Sequence, residues 1–285
     1  MSESLLQFNR EQLRAQFNKR PFHVKHSLTE HPLFELGRLL ELSKALPPEC
    51  IEYNSGELQT NQDPSLTPMN GLSIQETIAR IRDNKSWMVM KFVEKDPEYR
   101  ELLHTLLAPV LKETADLAPN PDRLFGFIFI SSPRAITPYH MDPEHNFLLQ
   151  IRGTKTMHVW SPDDRYALPE LQLERFYAKH PHRNMKYDPS FESSAYQLHM
   201  GPGDGIHVPV TSPHHVRVGD EVSISFSITF RSDVSLRRSF IARTNCRLRE
   251  RGFNPPPVGR YPTYEKMLYG LSRAYRAIRG VEDLG

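Results

Sequence analysis

The segment TPYHMDPEHNFLLQIRGTK, Thr137 to Lys155, sets His140 and Asp142 two residues apart in a run that otherwise reads as β-strand. Successive side chains of an extended chain alternate faces, so residues i and i+2 point the same way and could share one ion. One further imidazole would complete a two-histidine, one-carboxylate set. Such a set takes one face of an octahedral metal and leaves three positions open. Mixed nitrogen and oxygen donors beside open positions suit Fe(II) and oxygen chemistry. Among 13 histidines and 34 acidic residues a pair of this kind also arises by chance, so it carries weight only with a third ligand.

GDGIHVPVTSPHHV, Gly203 to Val216, offers one. This stretch resembles the second motif of the cupin superfamily, in which a glycine turn, a proline and a metal-binding histidine lie along two adjoining strands. Gly203, Pro209 and His214 fill those places, with Thr211 where a glycine is usual. The register selects His214 and turns His215 to the other face. Many metal cupins have H-x-H and then a glutamate. Here the second place is Asp142, and Asn146 stands where that glutamate would be, which favours three ligands over four.

The fuller pattern, T-P-Y-H-M-D-x-x-x-N-F-x-x-Q-I-x-G-x-K followed by PGDG and PHHV, resembles the JmjC-type iron and 2-oxoglutarate oxygenases. It looks closest to the asparaginyl hydroxylase that restrains hypoxia-inducible factor and to bacterial cupin-like proteins. The likeness is tight over residues 137–163, looser over 203–230 and faint in RPFHVKHSL near the N-terminus. It implies a mainly β chain with flanking helices around a double-stranded β-helix, or jelly-roll, core. It further implies Fe(II) on His140, Asp142 and His214, with Lys155 paired to the distal carboxylate of 2-oxoglutarate. Thr137 would donate to that same carboxylate, and Asn146 would lie near the cosubstrate on the iron side. Ser227 stands close to where the relative has an asparagine beside the cosubstrate. A buried lysine needs a counter-charge, and a dicarboxylate supplies one.

The activity so implied consumes O2 and couples oxidative decarboxylation of 2-oxoglutarate to succinate with C–H hydroxylation. Its substrate would be an amino-acid side chain, free or in a peptide, or a small metabolite. The rivals are a metal cupin enzyme that does not use 2-oxoglutarate, an N-methyl demethylase, and a non-catalytic binding module. Arg217 and Arg231 compete with Lys155 for the carboxylate, but the spacing of Lys155 from His140 and the Thr137 motif favour the lysine. His145, His158 and His207 are read as hydrogen-bonded or surface histidines, and His215 as an outward-facing one.

Elements must hold these groups in place. Residues 1–120 read as a mostly helical lead-in. Ser73 and Glu76 form a capping box, and Asp96-Pro97 opens a helix carrying Leu102, Leu103, Leu106, Leu107, Val110 and Leu111 that should end near Pro119. From Leu124 the chain turns to strands: FGFIFI, FLLQI, TMHVW, GIHVPV and VSISFSITF, separated by Gly, Pro and Asp turns. We place the β core at 121–235. Residues 236–285 form a basic, helical extension in which Met267, Leu268, Leu271, Tyr275 and Ile278 make an apolar stripe. In the resembled relative a C-terminal helical region makes a homodimer, and the same is expected here. The arginine-rich stretch 231–260 reads as a solvated or salt-bridged surface, since it lacks the interleaved aromatics of a single-strand binder.

Composition sets the outer bounds. A net charge of +2, from 36 basic and 34 acidic residues, gives no general drive toward nucleic acid or a membrane. Cys50 and Cys246 show no metal or disulfide spacing, and no leader-like apolar run opens the chain, so the expected compartment is the cytoplasm.

Overall fold

The computed structural model describes residues 4–179, 183 and 185–279, so the two tips of the expected lead-in and C-terminal extension (1–3 and 280–285) fall outside the described residues. The lead-in holds β1 (Leu6–Gln7), α1 (Arg10–Gln16), β2 (Phe22–His26), α2 (Leu36–Ala45), β3 (Ile51–Ser55), α3 (Ile74–Ala79), β4 (Ser86–Lys91) and α4 (Pro97–Glu113). Then come β5 (Asp122–Ser131), β6 (Ile136–His140), β7 (His145–Arg152), β8 (Lys155–Val159), α5 (Glu170–Lys179), β9 (Tyr196–Met200), β10 (Asp204–Val208), β11 (His214–Val218) and β12 (Ser223–Arg231). Helices α6 (Asp233–Glu250) and α7 (Pro262–Arg279) follow.

The strands form two antiparallel sheets, ordered β1-β2-β10-β7-β12-β5-β4-β3 and β6-β11-β8-β9. Strand β12 shows why they face one another. Ile224, Phe226, Ile228 and Phe230 pack outward with the helices of the lead-in, joining Leu103, Leu106 and Val110 of α4 in the main core. The alternate residues Ser223, Ser225, Ser227 and Thr229 are buried as well. A strand apolar on one face and hydroxylated on the other thus lines a polar lumen rather than meeting water. Leu148, Met157, Val159, Met200, Ile206, Val208 and Val216 fill part of the space between the sheets.

Local signals explain most helix starts. The Ser73–Glu76 capping box forms in both directions, and the Asp96 side chain accepts from the Glu98 amide. Helix α4 ends at Glu113, earlier than expected, with Thr114 as its C-cap at φ −105°, ψ 14°, outside helical values.

The lead-in departs from a mostly helical reading, since β1, β2, β3 and β4 extend the large sheet at both edges. These strands are two to six residues long and mix charged with apolar residues. Their stability comes from pairing, β2 on β10 and β4 on β5, rather than from intrinsic strand preference. Buried His145 and His207 lie against Phe17, their rings nearly parallel to it at centroid distances of 5.1 and 4.9 Å, and so dock the segment after α1 onto the barrel.

The arginines after β12 are largely used within the chain. Arg238 donates to the Pro162 carbonyl, Arg249 pairs with buried Glu174 at 2.8 Å, and Arg273 pairs with Asp233. The stripe on α7 divides: Leu268 packs against the cluster that α5 and α6 share, while Met267, Leu271, Tyr275 and Ile278 stand exposed, Ile278 at 85%. No described helix is long and apolar enough to cross a membrane.

Candidate metal and cosubstrate site

His140 ends β6 and His214 begins β11, and the two are direct partners across that pair of strands. Three residues of β6 then run from His140 to Thr137, against two of β11 from His214 to Val216. This bulge matters, because a regular strand would put positions three apart on opposite faces. Here His140 stands beside His214 with ring centroids 4.0 Å apart, while Thr137 reaches Trp87 of the large sheet.

Each imidazole is oriented from behind. The Nδ1–H of His140 donates to the Pro138 carbonyl at 2.8 Å, and that of His214 to the Ser212 carbonyl at 2.9 Å. Both Nε2 lone pairs are left for the centre. Burial pushes His140 down to about 3, with His214 alongside adding to it, and burial lowers His214 too; both rings are neutral, as ligands must be. Asp142 divides its oxygens. Oδ1 pairs with Arg183, and Oδ2 lies 4.0 Å from His140 Nε2 and 3.7 Å from His214 Nε2. Burial opposes the charge of Asp142, but the Arg183 guanidinium paired with it outweighs burial and holds the carboxyl below its usual range. Spacings of 3.7 and 4.0 Å are too long for hydrogen bonds and leave room for an ion between the three donors. The set fits a facial triad.

Thr211 sits just ahead of His214 with φ +62°, a backbone region that favours glycine and is rare for a β-branched residue. Its amide donates to the Asp142 carbonyl at 2.8 Å, tying the turn to the third ligand. The position that is usually glycine in cupins is thus left-handed here as well, and threonine carries the strain beside the site.

Lys155 lies deep in the lumen at the start of β8, 5% exposed. Its Nζ stands over the Phe129 ring at 5.6 Å, and among the described residues no carboxylate comes within ion-pair reach. Burial pushes its ammonium down to about 7. Trp87 links the neighbourhood, with its ring 6.0 Å from Phe129 and its indole N–H donating to the Thr137 hydroxyl oxygen at 3.2 Å. The Thr137 proton stays available for donation. Asn146 and Ser227 are joined by a 2.8 Å bond from the serine hydroxyl to the amide oxygen, which leaves the Asn146 amide protons free to donate within the lumen. Of the two rival arginines, Arg217 is exposed, and Arg231 pairs with Glu144 at the other end of the barrel strands.

A second cluster, His158, Glu192 and His215, lies on the outer face of the small sheet. There the imidazole nitrogens donate into Glu192 at 2.8 and 2.9 Å, and the Tyr187 hydroxyl adds a third bond at 2.6 Å. These donors are spent on one another, unlike those of the triad. His215 does face away from His214, but it is fully buried rather than outward in solvent, because residues 187–192 fold over it.

Sequence reasoning missed Arg183 and Trp87. Arg183 lies in a loop with no periodic pattern, and Trp87 is on a strand that sequence did not reveal, so neither carried a signal. Arg183→Ala should weaken metal binding by roughly 10–100-fold, the range typical when the partner orienting a ligand is lost, with the fold retained. Titration with Mn(II) followed by electron paramagnetic resonance checks it.

The Cupin-like domain profile matches residues 46–235, two thirds of the sequence. The chain belongs to the cupin-like family. Zebrafish lysine-specific demethylase 8 is 32% identical over 101 residues, a match spanning 33% of this chain and 24% of that protein. JmjC domain-containing protein D of Dictyostelium discoideum is 35% identical over 101 residues, 33% of this chain and 21% of that one. The chain therefore spans about a quarter or less of the length of these relatives. Among solved structures, Escherichia coli ycfD superposes with a TM-score of 0.54 at 18% identity, covering 95% of this chain and 69% of ycfD. A structure of the same ribosomal oxygenase with cobalt and 2-oxoglutarate gives 0.51 at 17% identity, covering 95% and 68%. At such identities the likeness establishes the cupin jelly-roll fold and its helical additions.

Proposed function

We propose that this cupin-like protein is an Fe(II)- and 2-oxoglutarate-dependent oxygenase that hydroxylates an unactivated C–H bond. The observation that carries the reading is that one lumen holds both a three-donor metal set and a buried lysine without an anion. The solved neighbour bound to cobalt and 2-oxoglutarate supports the same choice of ligands.

His140, Asp142 and His214 would hold the ferrous ion, and Lys155 and Thr137 the distal carboxylate of the cosubstrate. Asn146 and Ser227 would line its path. Bound there, iron and 2-oxoglutarate would activate O2, one oxygen atom going to succinate as CO2 leaves the cosubstrate and the other to the substrate C–H bond. The chain's own work is positional. The Pro138 and Ser212 carbonyls fix the imidazole tautomers, and Arg183 keeps Asp142 from turning both oxygens inward. The apolar side chains between the sheets keep bulk water from one end of the lumen.

Purified protein given Fe(II), ascorbate and 2-oxoglutarate should form succinate when offered its substrate from a panel of amino acids, peptides and cell extract. The product should carry one added oxygen by mass. Formaldehyde release in its place would assign the N-methyl demethylase outcome, which the name of the zebrafish relative keeps in view. Metal binding without any 2-oxoglutarate turnover would favour a cupin enzyme that works without it.

The exposed face of α7 is proposed as a homodimer contact, since Met267, Leu271, Tyr275 and Ile278 form one apolar stripe along it. Leu271→Glu should halve the mass seen by light scattering and leave the monomer folded. We place the protein in the cytoplasm, where two buried free cysteines are at ease.

A further inference from the structure

A cavity of about 430 Å³ opens between the large sheet and Arg183. Its walls are of two kinds. Phe92, Phe125 and Phe127 line one part, with Phe92 at 5.0 Å from Phe125 and 5.6 Å from Phe127. Glu144, Arg183 and Arg231 line the rest. Phe127 pairs with Ser227 across β5 and β12, so the cavity runs along the strands that carry the lumen's hydroxyl row. Arg183 lines the cavity and pairs with Asp142, so this one side chain joins the cavity to the metal set.

The charged side is not settled internally. The Arg231 guanidinium makes one long bond, 3.3 Å to Glu144, and its Nε is buried without any partner. A side chain with five donors in a rigid fork is costly to hold mostly buried with so few acceptors. Glu144 gives Arg231 only its Oε1, and its Oε2 faces Arg183 at 3.9 Å. Arg123, also at the wall, is paired with its neighbour Asp122. Two residues of the rim, Phe92 at φ +57° and Arg123 at φ +52°, are held in the left-handed region that suits glycine. Strain of this sort persists where the surroundings impose it, and it gathers at ligand sites.

Resting on the oxygenase reading above, we infer that the substrate is a small molecule with a free carboxylate beside an apolar body. The carboxylate docks on the Arg231 fork, and the body lies on the faces of Phe92, Phe125 and Phe127. A planar anion meets guanidinium donors in pairs, and its arrival supplies the acceptors that Glu144 alone does not. The volume suits one amino-acid-sized group rather than a segment of folded protein.

The test uses the full chain loaded with Mn(II) and 2-oxoglutarate, with 3-phenylpropanoate, L-phenylalanine and L-leucine as probes against their amides, and binding read by ligand-observed NMR. The acids should bind roughly tenfold or more tighter than the amides, the effect of one charge-assisted contact. Arg231→Gln should erase that preference and Arg231→Lys should keep part of it. Peptides ending in the same residues form a second arm: equal binding by them would show that a chain terminus is the source and overturn the small-molecule assignment. Equal affinity for acid and amide on the unaltered protein would overturn the carboxylate site whether or not the variants fold. So would absence of binding by every acid while Mn(II) and 2-oxoglutarate still bind, a result that leaves the oxygenase reading intact. Failure to bind Mn(II) or 2-oxoglutarate at all would instead remove that reading and this inference with it.

Discussion

Asp142→Ala should cut turnover by at least about 1000-fold and remove most metal-induced stabilisation, while the metal-free protein keeps its fold. The separation follows from where each partner of Asp142 sits. Its Oδ1 pairs with Arg183, whose side chain is 48% exposed and can turn to water once the carboxylate is gone. Its Oδ2 faces two neutral imidazoles, which lose a neighbour but no hydrogen bond. Little of the fold depends on this side chain, and all of the anionic charge of the donor set does. His140→Ala should lose activity to a similar extent, since the remaining pair cannot fill one face of an octahedron. Melting curves with and without Mn(II) read the binding term directly: a metal at one hundred times its dissociation constant adds about 2.7 kcal/mol to the unaltered protein, and the variants should show almost none of it. A fully active Asp142→Ala protein would remove the triad from the mechanism.

What could be read from the chain, and what could not, divides by the range of the interaction. The jelly-roll strands after Leu124 are written in local patterns of apolar residues, but β6 ends at His140, so Asp142 comes to His140 from the loop beyond the strand and not by alternation along it. His214 was legible only through resemblance, because its approach to His140 needs a bulge that no periodic pattern announces. The strands of the lead-in escaped notice because their stability lies in β10 and β5, more than a hundred residues and about forty residues away respectively. Arg183 escaped for a related reason: it is a loop residue whose meaning is its contact with Asp142. His215 faces Glu192 and Tyr187, and its burial depends on that segment, which carries no strand or α-helix signal. The stripe on α7 was plain, but periodicity cannot say whether such a stripe meets its own chain or another.

Lys155 gives the second large effect, and its two halves have opposite signs. In the protein without cosubstrate, a buried ammonium with no carboxylate in reach is a burden, and Lys155→Met should raise stability by on the order of a few kcal/mol near neutral pH. The pH dependence can be signed. The folded lysine titrates at about 7, while the unfolded one keeps an ordinary value of about 10.4, so between those limits the unfolded chain binds more protons. Stability therefore rises with pH across that window through this group, and the methionine variant should lack the rise. With 2-oxoglutarate present the sign reverses. The dicarboxylate needs the ammonium, so binding draws in a proton, and affinity should weaken by up to roughly tenfold per unit as pH climbs above about 7. Lys155→Met should lose about 100-fold in cosubstrate affinity at neutral pH, the scale for removing one partner of a buried charge pair. Isotherms for 2-oxoglutarate on the Mn(II) protein, taken across that range for both forms, test both halves. Affinity that ignores pH and survives the substitution would mean that the distal carboxylate docks on another cation, and an unpaired lysine at the bottom of the barrel would then need a different anion.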